Sequence, residues 1–297
     1  MHWDCRMGLK AKPGVIYALS AYTLWGLFPL YFYWLRSVPA FEVLAHRMVW
    51  TLLFLVLVLL FKRHLGWIKS VCSQPKTLAW FTLSASLISV NWGLYIWAVE
   101  QQRVVDASLG YFITPLVNVL LGAALLKERL RPVQWVCVAL ASLGVIWLTW
   151  SAHALPWIGL TLAFTFGAYG LLRKLASLGA LEGLSLETAL LFPLALAYLL
   201  FTWQTGTNTF VLASPSLQVL LATTGPVTAL PLLLFAAGAR RLPLSTMGLL
   251  QYISPSLQFF CGLWFFNEVF DTARLIGFCF IWLALIVFSV DSLWRSR

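Results

Sequence analysis

Long apolar runs alternate with short polar connections along the whole chain. Runs close to the roughly 20 residues that cross a hydrocarbon core fall at about 14–35, 42–61, 78–99, 104–126, 133–150, 156–172, 185–203, 217–239, 244–266 and 272–292. They predict ten membrane-spanning helices. Only Lys127-Glu128-Arg129-Leu130-Arg131 separates the fourth from the fifth, and only Asn267 to Asp271 separates the ninth from the tenth, so both connections read as hairpin turns. The longest outer connection, 203–216, carries no net charge and is assigned no role.

Composition agrees with the pattern. Of 297 residues 61% are hydrophobic and 10% charged, with mean hydropathy +0.86, whereas about 25% of a soluble chain is charged. The fold class expected is an all-α membrane protein, in which ten spans take up roughly 200 residues and leave no room for a soluble catalytic domain. The net charge of +10 does not gather on one face as nucleic-acid binding requires. Sixteen Lys and Arg fall in the N-terminal segment, the C-terminal segment and every second loop, against Arg36, Arg103 and Arg274 opposite. The positive-inside rule then places both ends of the chain, 1–13 and 293–297, in the cytoplasm. The first apolar run is too long for the h-region of a signal peptide. Cys5, Cys72, Cys137, Cys261 and Cys279 are scattered without a CxxC pair, so no metal, cofactor or disulfide framework is expected.

The chain repeats itself. An offset of 140 residues sets Ile113-Thr114-Pro115 over Ile253-Ser254-Pro255, Asn118 over Gln258, Gly122 over Gly262 and Glu128 over Glu268; an offset of 144 sets Trp25-Gly26-Leu27 over Tyr169-Gly170-Leu171. The segments 14–150 and 156–292 therefore read as two five-helix repeats, and an odd number of spans gives them opposite orientations. Inverted repeats place a site near the midplane, between halves that rock against each other.

Tyr111, Pro115, Asn118 and Gly122 share one helical face, and Gln251, Pro255, Gln258 and Gly262 repeat it beside Tyr252. Each proline removes an N–H and frees the carbonyl four residues earlier. These groups either line a cavity or bond neighbouring helices. The same two readings stand for Asn91, Trp92 and Tyr95. Two small-residue stripes, Ala85-Ser89-Gly93 and Gly159-Ala163-Gly167, fit close helix packing. Glu42, His46 and Arg47 fall within two turns of one span. Arg47 either snorkels to the interface or turns inward to a carboxylate or an anionic substrate group. Arg173-Lys174 is either a cytoplasmic anchor or a charge pair with Glu187.

What is missing also narrows the reading. The first span holds no acid, which disfavours proton-coupled export of lipophilic cations. HExxH, GxSxG and GxxxxGK[ST] are absent, so neither an enzyme nor an ATP-driven pump is expected.

Trp25-Gly26, His46-Arg47, Asn91-Trp92, the run from Ala107 to Leu116, Tyr169-Gly170 before Arg173-Lys174, Glu187-Thr188 and Gln251 to Pro255 together closely resemble the RarD branch of the EamA family, in the drug/metabolite transporter superfamily. The resemblance covers nearly the whole chain and departs from the family pattern at Thr114, where asparagine is expected before the proline. It implies a bacterial inner-membrane permease with a central cavity and alternating access, and it implies no particular substrate.

The expected function is a secondary transporter exporting a small metabolite, amino acid or drug-like molecule. The expected lining is Trp25, Asn91, Tyr95, Tyr111, Asn118, Tyr169, Gln251, Tyr252 and Gln258, with Glu42, His46, Arg47, Arg173, Lys174 and Glu187 pairing charges or gating. The partners are the substrate and the lipid bilayer, without nucleic acid. A monomer is adequate, and a homodimer stays open. The competing readings are uptake, a membrane sensor and a membrane-embedded enzyme.

Overall fold

The computed structural model describes residues 5–126, 131–239, 241 and 250–296. Among these residues it is all-helical, as the apolar periodicity predicts. In chain order the helices are α1 (Cys5–Gly26), α2 (Phe28–Trp34), α3 (Ala40–Phe61), α4 (Trp67–Cys72), α5 (Pro75–Glu100), α6 (Val104–Leu126), α7 (Pro132–Ala152), α8 (Trp157–Leu175), α9 (Ala180–Gln204), α10 (Thr209–Leu212), α11 (Pro215–Ala239), α12 (Ile253–Trp264) and α13 (Thr272–Ser296).

Seven segments are long and apolar enough to cross a membrane: Pro13–Trp34, Ala40–Phe61, Pro75–Glu100, Val104–Leu125, Pro132–Ala152, Ala180–Gln204 and Pro215–Phe235. A further apolar helix, Thr272–Phe288, is shorter. The expected sixth span coincides with α8. The expected ninth falls partly on 244–249, and Lys127, Glu128, Arg129 and Arg240 also lie outside the described residues.

Prolines set several boundaries. Pro75 and Pro132 occupy the first turns of α5 and α7, where a missing N–H costs no helical bond. Pro29 separates α1 from α2 within the first apolar run. Residues 250 and 251 are helical, the chain turns at Tyr252 and α12 starts at Ile253, so Pro255 sits in the first turn of α12.

The main packing partners lie in different parts of the chain: α6 on α8, α7 on α13, α3 on both α9 and α11, and α1 on α11 and α12. Close approach requires glycine in the first pair. A Cβ at Gly110 would lie 2.5 Å from the carbonyl oxygen of Gly159, so side chains larger than hydrogen would force α6 and α8 apart.

One end of the bundle is tied by contacts between residues 14–150 and residues 156–292. The Glu268 carboxylate accepts hydrogen bonds from the backbone N–H groups of Val104 and Val105, the first turn of α6. Glu42 accepts from Thr209 N (2.8 Å), Thr209 Oγ1 (2.8 Å) and Phe210 N (3.2 Å), so the loop given no role in the sequence is held by a buried carboxylate at the start of α10. Tyr31 donates to the Leu220 carbonyl at 2.6 Å, and the Tyr33 and Phe266 rings meet edge to face at 5.1 Å. At the opposite end His64 lies 2.7 Å from Glu182, and Trp80 donates to the Leu172 carbonyl at 3.1 Å.

Candidate functional site

Beneath the Glu268 end, α3, α5, α6 and α12 bring a polar cluster together. At 1.5 Å per residue, Arg47, Asn91, Tyr95, Tyr111 and Gln258 all lie about 8–14 Å below that end of their helices, well inside a hydrocarbon core of about 30 Å.

Asn91 is 1% exposed and fully engaged. It donates to the Leu162 carbonyl and to Thr165 Oγ1, each at 3.0 Å, and accepts from the Tyr111 hydroxyl at 3.2 Å. It thereby ties α5 to α6 and α8. The Tyr95 ring packs on Tyr111 and Phe32, and its buried hydroxyl has no hydrogen-bond partner.

Gln258 shows what a proline dictates. Pro29 has no N–H to offer the carbonyl of Trp25, four residues earlier. Gln258, 3% exposed, donates Nε2 to that carbonyl at 3.1 Å, so a side chain of α12 replaces the bond lost in the first span. Its Oε1 is left without a partner, as is the buried hydroxyl of Tyr252. Trp25 completes this corner against Tyr22 and Phe235.

Arg47 is 3% exposed and does not reach the interface. Its guanidinium carbon lies 4.0 Å from the Trp92 ring centre, with Phe32 at 5.5 Å and Phe28 at 5.7 Å. Among the described residues it forms no ion pair and no hydrogen bond, and its Nε is buried without a partner. Glu42, its nearest acid in sequence, is committed to Thr209 and Phe210. Desolvating an ion costs several kcal/mol even after relaxation, whereas a desolvated cation over an aromatic face regains about 2 kcal/mol and leaves its N–H donors unsatisfied.

A second cluster lies toward the opposite end. Glu187, 1% exposed, accepts from Ser84 Oγ at 2.6 Å and from the Tyr169 hydroxyl at 3.2 Å, with Arg173 Nη1 at 3.7 Å. Arg173 also donates to the Gly179 carbonyl. Of Lys174 only the backbone, near the end of α8, is described.

The remaining expected residues stand apart. His46 stacks on Phe210 at 4.9 Å and lies 3.9 Å from Glu42, beside the α10 anchor. Asn118 is exposed, with Oδ1 facing Gly167 of α8, whereas its expected counterpart Gln258 is buried. Gln251 is half-buried just before α12. The fifteen candidates thus divide between two buried clusters and scattered positions.

Sequence reasoning passed over Phe28, Phe32, Ser84 and Thr165, which surround these groups. It also missed a register match: α3 and α9 both begin with alanine, carry glutamate at the third position (Glu42, Glu182) and a charged residue at the eighth (Arg47, Glu187). The offset of 140 already used for Pro115 and Pro255 would have found it.

Glu268 lies outside the apolar helices, and burial pushes its carboxyl up from the ordinary 4.5 to about 7. The Val105 and Val104 N–H groups oppose that rise, Asp106 adds to it, and Arg274 opposes it. Beside it opens a cleft of about 200 Å³ lined by Arg103, Asp106, Phe266 and Arg274, apart from the expected lining.

The comparisons with known proteins fit this architecture. Residues 12–150 match the model of the EamA-like transporter family. An uncharacterized transporter of Pseudomonas aeruginosa is 48% identical, over 96% of this chain and 95% of that one. Protein RarD of Streptomyces exfoliatus is 46% identical, over 97% and 91%. The chain belongs to the RarD branch of the EamA-like transporters, a family of membrane proteins. One solved crystal structure shares the fold, with a TM-score of 0.58 at 19% identity over 96% of this chain and 99% of that chain.

Proposed function

We propose that the chain is a secondary transporter that exports a small organic molecule by alternating access between two inverted five-helix halves. Ten spans place both ends of the chain in the cytoplasm of a bacterial inner membrane. The Glu268 end faces outward, and the basic end, with Lys62, Arg63, Lys76 and Arg173, faces the cytoplasm. Transport between compartments is the class of function, with no chemical conversion.

One observation carries the mechanism. Beneath contacts that join residues of the two halves, each half contributes buried polar atoms without partners: Arg47 Nε and the Tyr95 hydroxyl from one, Gln258 Oε1 from the other. Buried polar groups are ordinarily satisfied. Arg47 and Tyr95 in one half and Gln258 in the other lie at similar depth below the outer end, which supports a site between the halves. The closed outer end fits the cytoplasm-facing half of an export cycle, in which Asn118 and Gly170 are accessible on the flank of α6 and α8.

Opening requires the outer contacts to separate. In a variant lacking the five native cysteines, Tyr33→Cys with Phe266→Cys should be bridged across that end by a short bis-thiol reagent with a reducible spacer, because the native rings meet at 5.1 Å. Crosslinking should stop solute flux in proteoliposomes, and a reductant should restore it. Undiminished flux through the crosslinked protein refutes alternating access at this end.

A further inference from the structure

Three charged side chains are nearly fully buried among the described residues: Glu42, Arg47 and Glu187. Glu42 holds Thr209 and Phe210, and Glu187 holds Ser84, Tyr169 and Arg173. Arg47 alone of the three has no polar partner. The two acids are built into the scaffold, and the base has no counter-charge among the described residues.

We infer that Arg47 is the anchor for a small monoanionic substrate, a carboxylate attached to a flat apolar body. This deepens the proposed function, since it takes the transported molecule to bind in the cluster beneath the outer contacts. A guanidinium stays protonated through the physiological range and presents N–H donors in a planar fork that matches a carboxylate. Trp92, whose ring centre lies 4.0 Å from the guanidinium carbon, offers no hydrogen-bond acceptor, so the buried Nε is left without a protein partner. The unpartnered hydroxyl of Tyr95 supplies a further donor within electrostatic range of Arg47, as does the hydroxyl of Tyr111 when it is not held by Asn91.

The surroundings limit the rest of the molecule. Phe28, Phe32 and Trp92 close around the guanidinium, so the part of the ligand beyond the carboxylate meets aromatic surface. A single cation suits one carboxylate and leaves the second charge of a phosphate monoester uncompensated. Cations are disfavoured, because both buried acids are already committed to protein donors.

The test uses the full-length purified protein and acid–amide pairs of nearly identical shape: phenylacetate with phenylacetamide, and indole-3-acetate with indole-3-acetamide. Thermal stabilisation is titrated for binding, and counterflow in proteoliposomes is measured for transport. The wild type should be stabilised by at least one acid and at least tenfold more weakly by its amide. Arg47→Gln should lose the preference for the acid, and Arg47→Lys should retain part of it. Because Arg47→Gln also empties a buried charge, Tyr95→Phe serves as a second variant that keeps ring packing intact; it should weaken acid binding severalfold and leave amide binding unchanged.

Equal stabilisation by acid and amide, or by neither, overturns the assignment, as does an unchanged preference in correctly folded Arg47→Gln. Acids that bind but do not exchange across the liposome membrane leave the anion site standing and overturn the transport reading. Flux of neutral solutes without any acid binding does the reverse.

Discussion

At the scale of single residues, the structure is governed by which backbone and side-chain groups lose water and what replaces it. Pro29 orphans the carbonyl of Trp25, and Gln258 satisfies it from a distant helix. Gln258→Leu strands that carbonyl and should cost about 1–3 kcal/mol, the desolvation penalty of an unpaired buried acceptor, read as a lowered midpoint in thermal unfolding. Gln258→Glu offers no N–H and should cost at least as much. If Gln258→Leu unfolds at the wild-type midpoint, the bond contributes nothing. The sequence made Gln258 visible only as an amide on a helical face. Its partner was not legible, because the orphaned carbonyl belongs to a proline in another span and only packing of α1 against α12 joins them. Arg47 illustrates the same gap: two opposite outcomes were consistent with its position in the span, and burial decides between them.

At the scale of helices, one end of the bundle is fastened by two carboxylates acting on the first turns of helices. Glu42 serves α10, and Glu268 serves α6, where a carboxylate also meets the positive end of the helix dipole. Burial raises the Glu268 carboxyl from 4.5 to about 7, so the fastened state binds its proton more tightly than the released state. The sign follows from linkage: fastening is strongest below about pH 4.5 and weakens as pH climbs to about 7. A protonated carboxyl still accepts through its carbonyl oxygen, so the acid form remains a fastener. After correction for intrinsic exchange, the Val104 and Val105 amides should be better protected from hydrogen exchange at pH 5 than at pH 8. Glu268→Gln should remove most of that difference. Greater protection at pH 8 contradicts the sign. The boundaries of α3, α5, α6 and α11 were legible to within a few residues because apolar length and flanking prolines fix them. The break at Tyr252 was not, since a proline in an apolar run is compatible with both a kink and a new first turn.

At the scale of the whole molecule, the repeat is the main source of what could be read in advance. It relates Pro115 to Pro255, and it extends to α3 and α9, where the charge at the eighth position is Arg47 in one and Glu187 in the other. The candidate list mixed groups from both clusters because periodicity gives a face and not a neighbour, which is why Asn118 and Gln258 were grouped although one is exposed and the other buried. The proposed orientation makes its own prediction. An epitope inserted in the loop at 203–216 should be labelled by an impermeant reagent in intact spheroplasts, and one at either end of the chain only after permeabilisation. Labelling in the opposite sense reverses the outer and inner assignments. Family membership and the all-helical membrane fold do not depend on that outcome.

The hydrogen bonds that Glu268 makes to α6 also bear on speed. In the proposed cycle, an end that parts once per turn is a brake as well as a barrier to leakage. Two hydrogen bonds at about 0.5–1.5 kcal/mol each, broken before replacements form, slow the parting by roughly 10–10². A chain with this fastening trades turnover number for tightness, and easing it should yield a faster, leakier carrier.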